Sequence, residues 1–386
     1  MPETWDVAVV GAGPAGAAAA RIAAENGCAV LLLEKERIPR YKTCGGGLVG
    51  ASLAALPQDA PVTIYDELQR VTLSWNGRWD KTLPSRPPWA KMVFRSEFDA
   101  ALVDEAAKAG VEVRDKTPVK GVEPGGGEVS LRVGGGETVK ARTVIGADGS
   151  ASRAAKAVGV QCRQVDLALE IEVPTDRATA RRWHGRALME WGPFPGSFGW
   201  VFPKGDTSTV GVVGSRGLPD KTRAYMREFV QRQGFSRFEP IHDTGHLTRC
   251  RWSGSPLARD RVLVAGDAAG FADPWLREGI SFALRSGALA ARSAVAIAGA
   301  GTSAAVHDAQ REYQKAVEDD LGTEMRASEK LAKIYSARPG LVHAALVGLP
   351  PVWRRVDDYL AGRTSVPDIV DKPFVRPLVS ALAAVS

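Results

Sequence analysis

At 386 residues the chain is too long for one small core and implies about two domains. Apolar content of 45% and charged content of 24% are ordinary for a soluble globular protein, which excludes a disordered or fibrous chain. The net charge of +6 comes from scattered basic residues, with Arg181-Arg182 and Arg354-Arg355 as tight pairs. No nucleic-acid-binding arm or stripe results, although an anionic membrane surface or a phosphorylated substrate stays open.

Asp6 to Val10 is a short apolar run that predicts a strand, and it ends in Gly11-Ala12-Gly13-Pro14-Ala15-Gly16. An alanine-rich helix is predicted over 17–26, with Gly27 suited to its C-cap. A second strand, Cys28 to Leu33, ends in Glu34. In such a unit the first glycine permits a tight turn, and Gly13 leaves the backbone open to a pyrophosphate. Gly16 lets the helix pack close to its strand. The helix N-terminus then presents free N–H groups and a positive dipole end to phosphates. Glu34, 18 residues after Gly16, is placed to accept from ribose hydroxyls. An acid there favours FAD or NAD over NADP.

Lys35 to Lys42 is a basic loop that runs into Thr43-Cys44-Gly45-Gly46-Gly47, a thiol beside three glycines. That composition suits a loop whose backbone approaches a planar cofactor closely. Residues 62–83 alternate as strands, with Val71, Leu73, Trp75 and Trp79 on the pattern. A helix is predicted from Ser96, as N-cap, to Gly110. Strands follow at 111–114 and 129–133, and then Thr143-Val144-Ile145-Gly146-Ala147-Asp148-Gly149-Ser150 reads as a strand ending in an acid turn. Residues 165–215 read as mostly β and are rich in Trp and Phe. That stripe fits the packed face of a sheet and, equally, an aromatic wall around an apolar substrate.

Residues 220–233 read as a helix. His242 and His246 lie four apart, but no third ligand spacing supports zinc, so no metal is expected. Arg261 to Gly270 is a strand ending in a second glycine-bracketed acid, Asp267, and a long helix opens at Gly279. The remainder is mostly helical, over 310–335 and 341–348, with Pro350-Pro351 as a break. The apolar tail 367–386 is expected to dock on the body as a helix. Cys28, Cys44, Cys162 and Cys250 form no CxxC pair, as in a reduced cytoplasmic protein. Met1 runs almost directly into the first strand, leaving no room for a signal peptide. No run of about 18 uninterrupted apolar residues occurs, so membrane contact is expected to be peripheral at most.

The turns 11–16, 146–149 and 266–270 are far apart in sequence, yet ligands of an α/β sheet bind at strand carboxyl ends, where such turns converge. A flavin needs the late acid, because its ribityl chain is long and hydroxylated, and Asp267 suits that chain. A helix opening at Gly279 would aim its N-terminus at the flavin N1/O2 edge.

On these motifs the chain resembles the FAD-dependent geranylgeranyl reductase family, within the flavoprotein group that includes p-hydroxybenzoate hydroxylase. The resemblance covers about residues 5–300. It rests on the GAGPAG, GADGS and GDAAG turns, on Arg95 before Glu97-Phe98-Asp99, and on Lys42-Thr43-Cys44-Gly45-Gly46-Gly47-Leu48. Phe198-Gly199-Trp200-Val201-Phe202-Pro203-Lys204 resembles the family's aromatic signature. The family often has tyrosine where Phe198 stands, and glycine where Arg277 precedes Glu278-Gly279-Ile280.

The resemblance implies an α/β fold: a Rossmann-type FAD-binding domain over 1–65, 90–160 and 255–300, with an α+β second domain. That second, sheet-based substrate domain would span 66–89 and 161–254, and 301–386 would form a C-terminal helical region. Gly11, Gly13, Ala15, Gly16, Glu34, Arg95, Val119 and Asp148 would serve the cofactor, with Ala15 and Glu34 on its ADP half and Val119 on the adenine side. Cys44, Gly45 and Gly47 would lie near the isoalloxazine, and Asp267, Gly279 and Ile280 would hold the ribityl chain and flavin edge. Trp191, Phe198, Trp200 and Phe202 would face substrate. The implied reaction saturates isoprenoid C=C bonds, with Cys44 positioning the proton and NAD(P)H or ferredoxin as external reductant. The substrate would be a prenyl lipid, a prenyl diphosphate, a chlorophyll precursor or a quinone side chain. The same scaffold also hosts flavin-dependent monooxygenases and epoxidases, the alternative activity.

Overall fold

The computed structural model describes residues 4–58, 60–370 and 372. Its organising layer is a sheet whose parallel strands run in the order Glu112–Arg114, Val30–Leu33, Trp5–Val10, Thr138–Gly146 and Val262–Val264. Val30–Leu33 and Val262–Val264 are buried throughout, the pattern of parallel strands covered on both faces. The chain winds outward from Trp5–Val10 in one direction, then crosses back to place Thr138–Gly146 on its other side. The first glycine turn therefore sits at the point where strand order reverses. The hairpin Val119–Pro124 and Val129–Val133 pairs with the first half of Thr138–Gly146.

Helix Pro14–Glu25 starts with Pro at its first turn, where a missing N–H costs nothing, and Gly27 follows at φ +82. The second strand begins at Val30, so Cys28 lies in the turn before it rather than in the strand. The next helix spans Arg95–Lys108 with Phe94, not Ser96, as N-cap and no side-chain cap. Arg95 opens it because its guanidinium is tied one turn ahead to Asp99, at 2.8 and 2.9 Å.

The second sheet has seven strands in the order His242–Arg251, Cys162–Pro174, Thr207–Ser215, Phe198–Lys204, Arg186–Trp191, Arg70–Trp75 and Arg78–Pro84. All neighbours are antiparallel except Arg186–Trp191 beside Arg70–Trp75. Val201, Val210 and Val212 pack on one face with Tyr225 and Phe229 of helix Pro219–Gln233. A small three-stranded sheet, Gly47–Val49, Ala90–Met92 and Asp66–Leu68, continues from the triple glycine.

Helix Ile280–Gly299 is long and apolar enough to cross a membrane, but 67% of its apolar stretch is buried inside the protein, and it carries Arg285 and Arg292. Arg285 binds Asp320 and Glu324. Asp320 lies in a π-helical turn, Glu318–Gly322, that joins the C-terminal helices Ser303–Val317 and Thr323–Ala337, and Glu324 lies on the second of these. Helix Pro339–Gly348 follows. Pro350-Pro351 interrupts the chain as expected but also opens a further helix, Pro350–Leu360, which the sequence reading left out. Of the tail, a short helix Val366–Val370 is described, and 373–386 lie outside the described residues.

Candidate active site

The distant glycine turns meet. A Cβ placed on Gly11, at φ +98, would stand 2.4 Å from the Ala147 carbonyl oxygen. One on Gly16 would fall 1.8 Å from the Gly11 carbonyl oxygen and 3.3 Å from the Ala147 Cβ. One on Gly266 would lie 2.9 Å from the Ala15 Cβ. Backbone bonds close the junction: Ala147 N–H donates to Val10 O at 2.8 Å, and Ala265 N–H to Gly146 O at 2.9 Å. Ala15 is thus the buried contact between the first and third turns. Gly13 differs from its neighbours, since a Cβ there would meet only the Arg40 guanidinium, at 3.8 Å. Open backbone, a helix N-terminus and a guanidinium together form a cradle for a diphosphate.

Glu34 is buried at the end of the second strand, where it accepts from the N–H groups of Ala12 at 2.9 Å and Glu36 at 3.1 Å. Arg40 reaches Glu34 at 3.2 Å and Asp99 at 3.0 Å. Asp99 in turn holds Arg95, which feels the charge of Cys44. A line of alternating charge therefore runs from the expected ribose acid to the cysteine loop. Asp148 shapes its turn: it accepts from Ser152 Oγ and from Arg153 N–H at 2.6 Å, and burial pushes its carboxyl up. Those bonds engage both its oxygens at the start of helix Arg153–Val158. Val119 opens its strand opposite Val133, half-buried beside the main sheet.

At the third turn Asp267 lies 3.3 Å from His246 Nε2, which lies 3.1 Å from Lys42 Nζ. Burial alone would raise Asp267, but the His246 bond and the Lys42 charge outweigh it and hold the carboxyl below its ordinary range. Burial lowers Lys42. A Cβ on Gly279 would come 3.6 Å from Asp267 Oδ1, so this helix start does abut the acid turn. Its N-terminus is not wholly free, however: the Glu278 carboxylate accepts from Ser281 N–H at 2.9 Å and Ser281 Oγ at 2.5 Å. Ile280 is buried behind it. His242 stacks on Tyr41 with ring centroids 3.7 Å apart, and among the described residues no His, Cys, Asp and Glu group has the make-up of a metal site.

The cysteine loop is clamped between the two sheets. Cys44 N–H donates to Glu170 Oε1 at 2.9 Å, and Gly46 N–H lies 3.4 Å from Cys44 Sγ. A Cβ on Gly45 would be 2.7 Å from the Phe202 ring and 3.5 Å from Trp200 Nε1. Gly46, at φ +74, is pressed on the Val93 carbonyl oxygen, 2.2 Å from a notional Cβ. Gly47 leads into its strand beside Met92. Phe198, Trp200, Phe202 and Lys204 alternate along one strand and share a face, with successive aromatic centroids 6.0 and 6.4 Å apart. Lys204 is buried against Glu172 at 3.1 Å. Trp191 pairs across from Phe198, but its Nε1 donates to His343 Nδ1 at 3.2 Å and its ring packs on Tyr335, which turns it toward the C-terminal helices.

Arg40 and Glu170 were not singled out from the sequence, and His246 was weighed only as a metal ligand. Arg40 and Lys42 sat in a loop whose basic character was noted. Nothing local marks Glu170, or places His246 beside Asp267, because alternation along a strand does not say which face meets the cofactor domain.

The buried acid at Glu34, the half-buried acid at Asp267 and the open cradle at Gly13 suit the ribose, ribityl and diphosphate parts of FAD. A family described as FAD binding domain matches residues 4–319. Digeranylgeranylglycerophospholipid reductase of Methanosphaerula palustris is 31% identical over 320 residues, covering 76% of this chain and 77% of that one. The chain belongs to the geranylgeranyl reductase family of FAD-binding proteins. Chloroplastic geranylgeranyl diphosphate reductase of Oryza sativa is 31% identical over 80% of this chain and 70% of its own length. In fold, this family member is similar to a geranylgeranyl bacteriochlorophyll reductase-like protein of Thermoplasma acidophilum, with a TM-score of 0.79 and 23% identity over 98% of this chain and 99% of that one. The flavin-dependent brominase Bmp2 shares the fold at TM-score 0.73 and 20% identity, over 99% of this chain and 100% of that one. As a member of the family, the chain is an FAD-dependent oxidoreductase.

Proposed function

We propose that this oxidoreductase saturates isolated C=C bonds in the prenyl chain of a lipid or prenyl diphosphate, at the cytoplasmic surface of a membrane. The observation that supports this most is the contact of the Cys44-Gly45 loop with Trp200 and Phe202: thiol, close-approach glycine and apolar wall share one place. An isolated alkene has no carbonyl to accept charge, so a proton must reach one carbon as hydride reaches the other. Bound reduced FAD supplies the hydride. The Cys44 thiol donates the proton, and the Arg95 guanidinium beside it stabilises the thiolate left behind. Positive charge on the more substituted carbon is stabilised by the faces of Trp200 and Phe202, in a site that excludes water.

The strand Phe198–Lys204 spans about 20 Å at some 3.4 Å per residue, which matches an extended prenyl chain. Beyond its Phe198 end, Arg277 and Asp166 line a groove of ≈ 770 Å³ together with Arg163, Arg251 and Lys333. Arg163 and Lys333 both pair with Glu329 there and Arg277 pairs with Asp166, so the groove is a mixed-charge surface. The test is to incubate dithionite-reduced enzyme with a prenyl lipid or diphosphate without oxygen. Mass spectrometry should show a gain of two hydrogens per double bond. Product that forms only with oxygen, carrying an added oxygen atom, would mean a monooxygenase instead. NAD(P)H and ferredoxin are then compared as electron donors.

A further inference from the structure

We infer that the outer side of helix Pro339–Gly348, with the hairpin that carries Trp75 and Trp79, docks on an anionic lipid bilayer. This rests on the reading above of an enzyme at a membrane surface, and names the face that meets the membrane. Helix Pro339–Gly348 has one polar side chain, His343, and that one is buried. Its Nδ1 accepts from the Trp191 indole N–H at 3.2 Å, so its Nε2 carries the proton donated to Trp79 O at 2.8 Å. What the helix shows to water is apolar: Leu341 is 52% exposed, and Leu349, just past its end, 53%. A helix on a water-facing surface ordinarily turns its polar side chains outward.

Two tryptophans continue the patch. Trp79 is 61% exposed, with its ring 6.1 Å from Trp75 and 5.6 Å from His343. A Cβ on Gly340 would stand 2.5 Å from the Trp75 ring, so the hairpin lies directly on the start of the helix. Trp79 also has φ +58, a costly conformation for a bulky side chain. An exposed ring gains little from the chain itself to offset that cost, whereas a membrane interface favours indole rings.

Charge complements this patch. Arg78 and Lys81 stand exposed on Arg78–Pro84, the edge strand of the second sheet, with Asp80 as the opposing acid between them. Arg338 is exposed at the helix start. Arg354 and Arg355 are exposed on helix Pro350–Leu360, whose Trp353 Nε1 donates to Pro84 O at 3.0 Å. Among the described residues none of these five cations forms an ion pair, and the acids of that helix, Asp357 and Asp358, are held by Arg363. Free cations around an apolar patch suit anionic headgroups around inserted side chains. On the inner side of the same helices, Leu346 and Trp353 pack in one cluster with Phe198 and Trp200. A prenyl chain leaving the bilayer here is one helix diameter, about 10 Å, from the aromatic strand.

The experiment sediments the full FAD-loaded chain with vesicles, without substrate. Vesicles of phosphatidylcholine alone are compared with vesicles holding about 30% phosphatidylglycerol. The wild type should bind the anionic vesicles more tightly, and salt should release it. Arg354→Ser with Arg355→Ser should weaken that binding about 30-fold. Trp79→Asn with Leu341→Ser should weaken it at least about 10-fold. Asparagine tolerates the left-handed conformation, so both double variants should keep bound FAD and the wild-type melting temperature. Variants that bind as tightly as a vesicle-bound wild type would overturn this face and leave the membrane reading standing. A wild type that binds neither vesicle would sink the membrane reading with it, while hydrogen addition to a detergent-dispersed prenyl substrate is measured separately. A polarity-sensitive dye on Leu341→Cys, with labelled wild type as the blank, should report water until anionic vesicles are added. A dye already dry in dilute protein, or drying as the protein is concentrated, would assign the face to the chain's own residues 373–386 or to a second copy, and overturn the inference.

Discussion

Arg277 shows how a single residue departs from a family pattern and is accommodated. It has φ +57, a left-handed conformation natural to glycine. The strain costs about 1–2 kcal/mol. Against it stand bonds from the guanidinium to Asp166 at 2.8 Å, Pro274 O at 2.5 Å and Trp275 O at 2.6 Å. Charge-assisted bonds contribute about 1.5–3 kcal/mol each, so the contacts outweigh the strain. The charge that the sequence placed near the flavin rim is thereby spent on buried Asp166. Glu170 shows the opposite balance, a buried carboxyl with one oxygen unpartnered. Its folded-state pKa of about 7 lies above the ordinary 4.5, so the folded state binds the extra proton between those values. Stability therefore falls as pH rises from 4.5 to 7 and levels off above. Glu170→Gln should leave stability nearly unchanged at pH 4.5 and raise it at pH 8, by at most about 3 kcal/mol at 1.4 kcal/mol per pH unit. Denaturant midpoints at the two pH values check this.

At the scale of elements, the junction of helices Pro14–Glu25 and Ile280–Gly299 depends on small residues. A Cβ on Gly287 would come 2.2 Å from the Ala15 carbonyl oxygen, so the two helices meet backbone to backbone. Because Ala15 also touches Gly266, the same junction sets the third turn against the first. Gly287→Leu should separate them, cost more than about 3 kcal/mol as a severe overpacking, and release FAD. Thermal melting and the visible flavin spectrum would show both losses together. A protein that keeps its melting point and its colour would show that this helix pair does not position the turn. Strand Cys162–Pro174 illustrates what a pattern leaves open. Leu169, Ile171 and Val173 alternate with Ala168, Glu170 and Glu172, which reads as one apolar and one solvent face. The sheet instead packs its acidic face on the cysteine loop, so Glu170 and Glu172 are nearly as buried as their apolar neighbours.

Across the whole molecule, the proposed cofactor site draws on segments near residues 11, 34, 44, 95, 147 and 267, which share no local structure. FAD binding all of them would tie the fold together, as any ligand specific for the native state does. Saturating the protein from equimolar FAD to 100-fold above Kd should add about 2–3 kcal/mol and raise the melting temperature progressively. A melting temperature indifferent to FAD would be inconsistent with a site spread over so much of the chain.

The local signals were legible without a fold. The GAGPAG turn with its strand, helix and acid, the two later acid turns, and the alternation of Phe198, Trp200 and Phe202 are short-range patterns. Each obeys a backbone or periodicity rule that neighbouring residues enforce. The family followed from them. The pairing of Arg40 with Glu34 and Asp99, the Lys42–His246–Asp267 cluster, the tilt of Trp191 toward His343 and the burial of Glu170 did not. They depend on which face of one sheet docks against which loop of the other, and on how far burial outweighs each charge. Only the packed chain decides those, because desolvation and long-range contact are properties of the surroundings rather than of the residue.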